Sequence, residues 1–346
     1  VLVMSKKIML TIIAICVTII CIGCRNGNLE VDTNKGIEKE NFNSGEIKNV
    51  SSLESGEKED DSSLKEDVYK YNEKGKIIIA MYHKFADVET DEYSRSFENF
   101  EKDLEYMYEL GYRTISLTDY LENNIKVPIG CTPIILTFDD GTKGQFNLIK
   151  DSGDKLIANP KSAVGIMEKF YKAHPDFGLN GTFYINGGSF FAGEGTNKER
   201  LEYLINKGFE IGNHTNTHVY LNKASSDTIQ KEVGTVANLV RNLTGYEINS
   251  LALPFGISSK EYKNYIATGT YDGMKYENKI VLLVGAEPAP NPNSEKLNLL
   301  SLPRVRARGG NKEVVCDLYY WLDVMEKNPN MKYFRLNNDS GDMKSK

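Results

Sequence analysis

Two short polar motifs, each placed directly after a strand-like run, constrain this chain more than any other feature. The first, Thr-Phe-Asp-Asp-Gly at 137–141, ends an apolar run that begins at Pro133. The second, His-Thr-Asn-Thr-His at 214–218, follows the strand-like segment Gly-Phe-Glu-Ile-Gly-Asn at 208–213. Short apolar runs of this kind predict buried strands. Parallel α/β sheets carry their functional groups at the carboxyl ends of the strands, so both motifs are predicted to belong to one site.

The donor groups in these motifs are of the kind that bind a first-row metal ion. The chain has only four histidines, and His214 and His218 stand four residues apart. Two imidazoles and one carboxylate form a ligand set that leaves positions open for water and substrate. The other carboxylate of the Asp139–Asp140 pair is then free to act as a base. Alone, an Asp-Asp-Gly triplet predicts a turn and a His-x-x-x-His pair an exposed helical face, but together they favour a site.

The two motifs resemble the signatures T-F-D-D-G and H-[ST]-x-x-H of the polysaccharide deacetylases, carbohydrate esterase family 4. The resemblance implies a metal-dependent hydrolase that removes N-acetyl groups from a cell-wall or exopolysaccharide glycan. It implies that Asp139 is the general base on the attacking water, and that Asp140, His214 and His218 bind one divalent ion. Zinc is the expected ion, with nickel, cobalt and iron(II) as alternatives. The charge of Asp140 is expected to push the pKa of Asp139 upward, toward the working pH.

A third family motif, R-x-P-[FY], is only partly present. The chain reads Ala-Leu-Pro-Phe-Gly at 252–256, so an alanine replaces the arginine that normally orients the base. The resemblance implies that Pro254 and Phe255 form the oxyanion site, with the backbone N–H of Phe255 as the donor. Arg304, at the end of a later strand-like run, is a candidate for the missing charge. A surface arginine near a turn is the alternative.

The general acid is expected at the start of the domain. The family's usual C-terminal L-x-L-H motif is absent, since no histidine follows His218. Tyr82-His83, after the first strand-like run, resembles the circularly permuted deacetylases that act on poly-N-acetylglucosamine, in which a Tyr-His pair supplies the acid. The resemblance therefore implies that His83 is the acid, and a core or rim histidine is the alternative. His174 is predicted at an exposed helix end.

Residues 75–346 are long enough for one large α/β domain, predicted here as the deacetylase domain. Strand-like runs alternate with helical patterns, which predicts a parallel sheet. Periodicity does not separate a barrel from a doubly wound sheet, but the resemblance implies an irregular (β/α) barrel with fewer than eight strands. Strands are predicted at 76–82, 112–117, 133–138, 181–185, 209–212, 250–253, 279–284 and 302–305. Helices are predicted from Ser96 to Gly111, at 162–173, from Ser226 or Asp227 to Gly245, and at 312–326.

The N-terminal segment is typical of an exported lipoprotein. Two lysines at 6–7 precede an apolar run at 8–20, which is short for a membrane span. Gly23-Cys24 resembles a lipobox, so residues 1–24 are predicted to be a signal peptide and Cys24 the lipidated residue. The protein is then expected at the extracellular face of the cell membrane, held by a lipid anchor. An uncleaved signal anchor and ordinary secretion are the alternatives.

Composition separates a tether from the folded part. Residues 25–74 are rich in charged and small polar residues and carry a net charge of −5, which predicts a disordered acidic tether. Of the total charge of −6, residues 75–346 keep only −3, which argues against nucleic acid as a partner. A monomer is expected. Cys131 and Cys316 could pair outside the cell, and neither has the spacing of a metal ligand, but two isolated buried thiols are favoured.

Two other functions remain open from the sequence. One is a wall-glycan-binding protein on the same fold that has lost turnover, which the missing arginine of the third motif would favour. The intact base and ligand set opposes it. The other is a hydrolase of non-sugar amides, which the export signal and tether oppose.

Overall fold

The computed structural model describes residues 72–188, 190–308 and 314–335. The predicted signal peptide with Cys24, and the predicted tether up to residue 71, lie outside the described residues. Among the helices of the described part, none is long and apolar enough to cross a membrane.

A parallel sheet forms the centre of the domain, and its strands follow the order β14–β11–β10–β8–β5–β1–β15. β5 is the longest strand, and all eight of its residues are buried. This is the pattern of a parallel strand that is covered on both faces. A further strand, β4, pairs with the first half of β5. The bounds are β1 (Ile78–Tyr82), β4 (Tyr112–Thr114), β5 (Thr132–Asp139), β8 (Thr182–Ile185), β10 (Glu210–Asn213), β11 (Ser250–Ala252), β14 (Ile280–Leu282) and β15 (Val305–Arg306).

Leu302 connects the two edges of this sheet. It forms a parallel bridge with Leu282 of β14, and three residues later β15 begins to pair with β1. The seven strands therefore form a curled sheet, and the segment from Leu302 to β15 contacts both of its edges, at β14 and at β1. This architecture confirms the predicted irregular barrel with fewer than eight strands.

Alternate residues of the strands face two different apolar clusters. Ile79, Ile135, Tyr184 and Leu282 contribute to a cluster on the concave face of the sheet. Their neighbours on the other face pack against the surrounding helices. The α-helices are α1 (Phe97–Glu109), α2 (Leu117–Leu121), α3 (Ala163–Ala173), α4 (Asn197–Asn206), α5 (Ser226–Thr244), α6 (Asn264–Ala267) and α7 (Leu318–Lys327).

Capping residues explain where most helices begin and end. The hydroxyls of Ser96 and Ser162 accept from backbone N–H groups of the first turns of α1 and α3, as the sequence predicts. α5 begins at Ser226, one of the two predicted starts, and Ser225 is its N-cap. Gly245 ends α5 in the left-handed conformation, with φ of 74°.

Three predicted elements differ from the structure. The strand predicted at 112–117 ends at Thr114, because Ser116 and Asp119 form a capping box that starts α2. The helix predicted from residue 312 begins at Leu318, after the N-cap Asp317. The strand predicted at 302–305 is reduced to the Leu302 bridge and β15, since Pro303 between them has no N–H to donate.

Several short strands form small sheets separate from the central one. An antiparallel pair, β6 and β7, and the short strand β9 form a three-stranded sheet within and after the insertion between β5 and β8. Cys131, just before β5, is a free thiol, so the pairing with Cys316 does not occur. The remaining strands are β2 (Lys84–Ala86), β3 (Ser94–Ser96), β6 (Asn147–Lys150), β7 (Leu156–Ala158), β9 (Ala192–Gly193), β12 (Thr268–Tyr271) and β13 (Met274–Glu277).

Candidate active site

The structure brings the predicted site residues of the folded part together, and all of them except Arg304 lie at or after the carboxyl ends of barrel strands. His83 follows β1, Asp139 ends β5 with Asp140 next to it, and His214 follows β10. Pro254 and Phe255 come shortly after β11, and Arg304 precedes β15. The carboxyl ends of the strands are where parallel barrels place their sites.

Asp140, His214 and His218 form one cluster of potential metal ligands, with one donor atom from each within 4.8 Å of the others. Asp140 Oδ1 lies 3.4 Å from His214 Nε2 and 3.5 Å from His218 Nε2. His214 Nδ1 lies 2.8 Å from the carbonyl oxygen of Ala252. Because that carbonyl can only accept, Nδ1 carries the proton, which directs the lone pair of Nε2 toward the cluster. The donor set and its orientation fit a divalent metal ion.

Strained backbone accompanies this cluster. Asp140, Thr215, His218 and Phe255 have positive φ values of 80°, 61°, 53° and 60°. Each such conformation costs free energy in a residue other than glycine, and it persists only where the surroundings enforce it. These four backbone conformations therefore lower the free energy of unfolding at the site.

Two asparagines shape the loop that carries the histidines, and sequence reasoning missed both. Asn213 is fully buried; its amide donates to Val233 O at 2.8 Å and its oxygen accepts from Thr215 N at 2.9 Å. The amide of Asn186, directly after β8, donates to the carbonyls of both His214 and Thr215. Both are polar residues at strand ends, which is the signal that could have identified them.

A buried carboxylate holds the other half of the same loop. Glu232, on α5, accepts from the backbone N–H of Thr217 at 2.8 Å and from its hydroxyl at 2.9 Å. The carbonyl of Glu232 accepts from Asn216 N at 2.9 Å. Nothing local in the sequence of α5 indicates this contact, because its partners precede it by fifteen residues or more.

Arg304 and Asp139 form a buried, bidentate ion pair. Arg304 Nη1 and Nη2 donate to the two carboxylate oxygens of Asp139, both at 2.7 Å. Nε donates to Leu283 O and Nη1 also reaches Thr137 Oγ1. Arg304 is fully buried, so the alternative of a surface arginine is wrong. Its guanidinium therefore lies directly against the carboxylate of Asp139.

This ion pair overturns one electrostatic expectation. Burial alone would raise the pKa of Asp139, but the Arg304 guanidinium opposes it and holds that pKa well below the ordinary aspartate value. The expected upward shift by the neighbouring Asp140 is therefore wrong. An always-charged donor on both oxygens has a larger effect than a carboxylate beside it.

His83 lies on the other side of the same carboxylate. Its Nε2 is 3.8 Å from Asp139 Oδ2, and the side chain is only 14% exposed. The ring of Tyr93 packs edge-on against it, with 4.9 Å between centroids. Burial lowers the pKa of His83, while the negative charge of Asp139 works in the opposite direction. The structure thus brings His83 into the site, whereas His174 caps the end of α3 and packs against Tyr108.

Gln145 joins the backbones of these two residues, a contact that no sequence pattern indicates. Its side chain is completely buried, and Nε2 donates both to His83 O, at 2.6 Å, and to Asp139 O. Its Oε1 is buried without a hydrogen-bond partner among the described residues. A single amide therefore spans the ends of β1 and β5.

Pro254 and Phe255 form a short 3-10 turn with Gly256 directly after β11. Pro254 is buried, whereas the Phe255 side chain is 56% exposed. The Phe255 ring packs against His218, with 5.0 Å between centroids. The turn thus contacts the cluster of potential metal ligands through the ring of Phe255.

The fold and site define an α/β-barrel protein with a candidate metal centre and a separate buried carboxylate. Residues 126–273 match the family model for polysaccharide deacetylases. YxkH of Bacillus subtilis is named provisionally as a polysaccharide deacetylase. It is 22% identical to this chain over 256 residues, which cover 73% of this chain and 78% of the relative. Residues 126–273 are therefore similar to the polysaccharide deacetylases.

Two solved structures have the same fold. A polysaccharide deacetylase from Bacillus cereus superposes with a TM-score of 0.53 at 17% identity, covering 72% of this chain and 69% of the other. IcaB from Ammonifex degensii superposes with a TM-score of 0.50 at 15% identity, covering 72% and 97%. The family match includes Asp139, Asp140 and the histidine motif, but His83 and Arg304 lie outside it.

Proposed function

We propose that this protein is a metal-dependent hydrolase that removes N-acetyl groups from a cell-wall or extracellular glycan. One observation carries the proposal. A three-donor cluster of Asp140, His214 and His218 lies next to a second, buried carboxylate, Asp139, which is oriented by its own arginine. Adjacent acids with separate partners can take separate roles, one as a ligand and one as a base.

Asp140, His214 and His218 would hold one divalent ion, for which zinc is our first choice and nickel, cobalt and iron(II) are the alternatives. When bound, the ion supplies Lewis acidity to the acetamide group. The carbonyl of Ala252 keeps His214 in the tautomer that presents Nε2 to the cluster.

Asp139 is assigned as the general base. Arg304 keeps its carboxylate ionised and fixes its plane, so that the free lone pairs of its oxygens are available to accept the proton of the attacking water. The same contact lowers the basicity of Asp139. The proton that it accepts is consequently held weakly and is easily passed on.

His83 is assigned as the general acid. Cleavage of an acetamide requires a proton on the departing amine, because an amide anion is a very poor leaving group. His83 Nε2 faces Asp139 Oδ2 at 3.8 Å, and this short distance supports His83 as the acid that works with Asp139. The N–H of Phe255 is assigned to the developing oxyanion, next to the buried Pro254.

The alternative of a glycan-binding protein without turnover rested on the alanine at position 252. The contact of Arg304 with Asp139, from another part of the sheet, gives this carboxylate a guanidinium partner and supports the hydrolase instead. We further propose that the chain is exported, anchored through lipidated Cys24, and acts as a monomer on glycan near the membrane.

An acetate-release assay tests the function. Peptidoglycan, poly-N-acetylglucosamine and chito-oligomers are each incubated with the protein, with and without a chelator, and with an Asp139→Asn variant. We expect acetate from at least one glycan, no release with chelator or with Asp139→Asn, and recovery when metal is returned. No acetate from any glycan while a non-sugar amide is hydrolysed would overturn the glycan assignment. Glycan binding without any turnover would overturn the hydrolase.

A further inference from the structure

Exposed aromatic side chains border the site on the side of the histidine motif. Phe255 and Tyr220 are 56% and 47% exposed, and their ring centroids are 5.7 Å apart. The Phe255 ring also contacts His218 of the ligand cluster. Large aromatic residues are usually buried, and a contiguous exposed pair commonly marks a binding surface. The positive φ of Phe255 adds a conformational cost to holding its ring in this position.

A third exposed aromatic residue lies across the mouth of the barrel. Tyr93 is 38% exposed, and its ring packs against His83, at the end of β1. Phe255 follows β11, and β5, β8 and β10 lie between β1 and β11 in the sheet. In a seven-strand path this separation places Tyr93 on the opposite side of the mouth from Tyr220 and Phe255. Asp139 and the candidate metal cluster follow strands that lie between these two positions, so they lie between Tyr93 and the Tyr220–Phe255 pair.

We propose that Tyr93 on one side, and Tyr220 with Phe255 on the other, are sugar-binding subsites that flank the reacting residue. The substrate is then an internal N-acetylated residue of a glycan, with a neighbouring sugar on each side. Pyranose rings with equatorial substituents expose C–H groups on both faces, and these faces pack against aromatic rings. The inference rests on the proposed function, and it adds the residues that select a chain over a single sugar.

The test compares substrates of different length. Hydrolysis of N-acetylglucosamine dimers and pentamers is measured for the parent, Tyr220→Ala and Tyr93→Ala. We expect the parent to prefer the pentamer. Each alanine variant should reduce the ratio of pentamer to dimer kcat/KM by about two- to tenfold, the loss expected for one aromatic contact. Tyr220→Phe keeps the ring and should keep the ratio.

Tyr265→Ala is the matched control, because Tyr265 is similarly exposed but lies on α6, outside the site. It should leave the ratio unchanged. A ratio that stays at the parent value in both Tyr220→Ala and Tyr93→Ala overturns the subsites while leaving the hydrolase intact.

Binding separates failure of the subsites from failure of the proposed function. Pentamer is titrated by calorimetry into the Asp139→Asn protein, with and without Tyr220→Ala. Binding that weakens with Tyr220→Ala supports the subsites even if the parent releases no acetate. Absence of pentamer binding to the Asp139→Asn protein, together with absence of a length preference in the parent, overturns them.

Discussion

Arg304 and Asp139 make a bidentate ion pair at the centre of the barrel mouth, although 165 residues separate them in the chain. The third motif of the family would place an arginine at position 252, and this chain has alanine there. Arg304, from another part of the sheet, provides a guanidinium for the carboxylate that we propose as the base. It reaches Asp139 because the segment before β15 closes the curled sheet.

Removing Arg304 should damage both stability and activity. Arg304→Met leaves a buried carboxylate without its partner, which typically costs about 3–5 kcal/mol. The folded pKa of Asp139 is depressed, so the pair's stabilisation is present at neutral pH and is lost as the pH falls through that value. Denaturant unfolding at neutral and acid pH should therefore show a smaller difference between parent and variant at acid pH. A loss that is equal at both pH values would contradict the ion-pair account.

The metal assignment predicts the behaviour of the histidine variants. His214→Ala and His218→Ala should each lose bound metal and activity, because a three-ligand site weakens when any ligand is removed. His174→Ala is the control, since His174 packs against Tyr108 on α1 and should retain both. Elemental analysis of the purified variants is the measurement. Full metal content in both ligand variants would show that the cluster is not the metal site.

The assignment of His83 as acid predicts a specific pH dependence. His83→Ala should keep its metal and lose roughly 10²–10⁴-fold in rate, the usual contribution of a general acid. Only protonated His83 can donate, so activity should fall as the pH rises through its pKa. Because burial lowers that pKa, the alkaline limb should lie below the ordinary imidazole value. Near-parent turnover with an unchanged alkaline limb would make His83 a structural histidine.

Gln145 is predicted to be a positioning residue for the base and the acid. Gln145→Leu removes the amide that holds the carbonyls of His83 and Asp139, so kcat should fall and the alkaline limb should shift, with little change in KM. Asn147→Leu is the matched control, a buried amide in the same segment that donates to Lys143 O and touches neither residue. Identical pH profiles for the two variants would reduce Gln145 to a purely structural role.

The lipoprotein proposal concerns Cys24, which lies outside the described residues. Cys24→Ala should prevent acylation and either release the protein from the membrane or stall its processing. Phase partitioning of detergent extracts, with gel mobility as a second readout, measures this. Membrane retention without a change in mobility would indicate an uncleaved signal anchor.

Much of the fold follows from local sequence. The apolar runs of β1 and β5 are buried on both faces, and such strands are recognisable without tertiary information. Serine caps and a terminal glycine mark the ends of α1, α3 and α5 in the same way. The strand predicted at 112–117 is too long, because the capping box of Ser116 and Asp119 starts a helix within that segment.

The sequence alone determined which residue types could form the candidate metal cluster, because Asp140, His214 and His218 stand in short motifs directly after strands. Only the tertiary structure decided which distant side chains act on Asp139. Arg304 and His83 reach it through parallel strands and a closing segment, over separations that no local pattern encodes. Strand pairing between remote segments is a property of the whole sheet, so the pKa of Asp139, which those contacts set, could not be read from its neighbours in the chain.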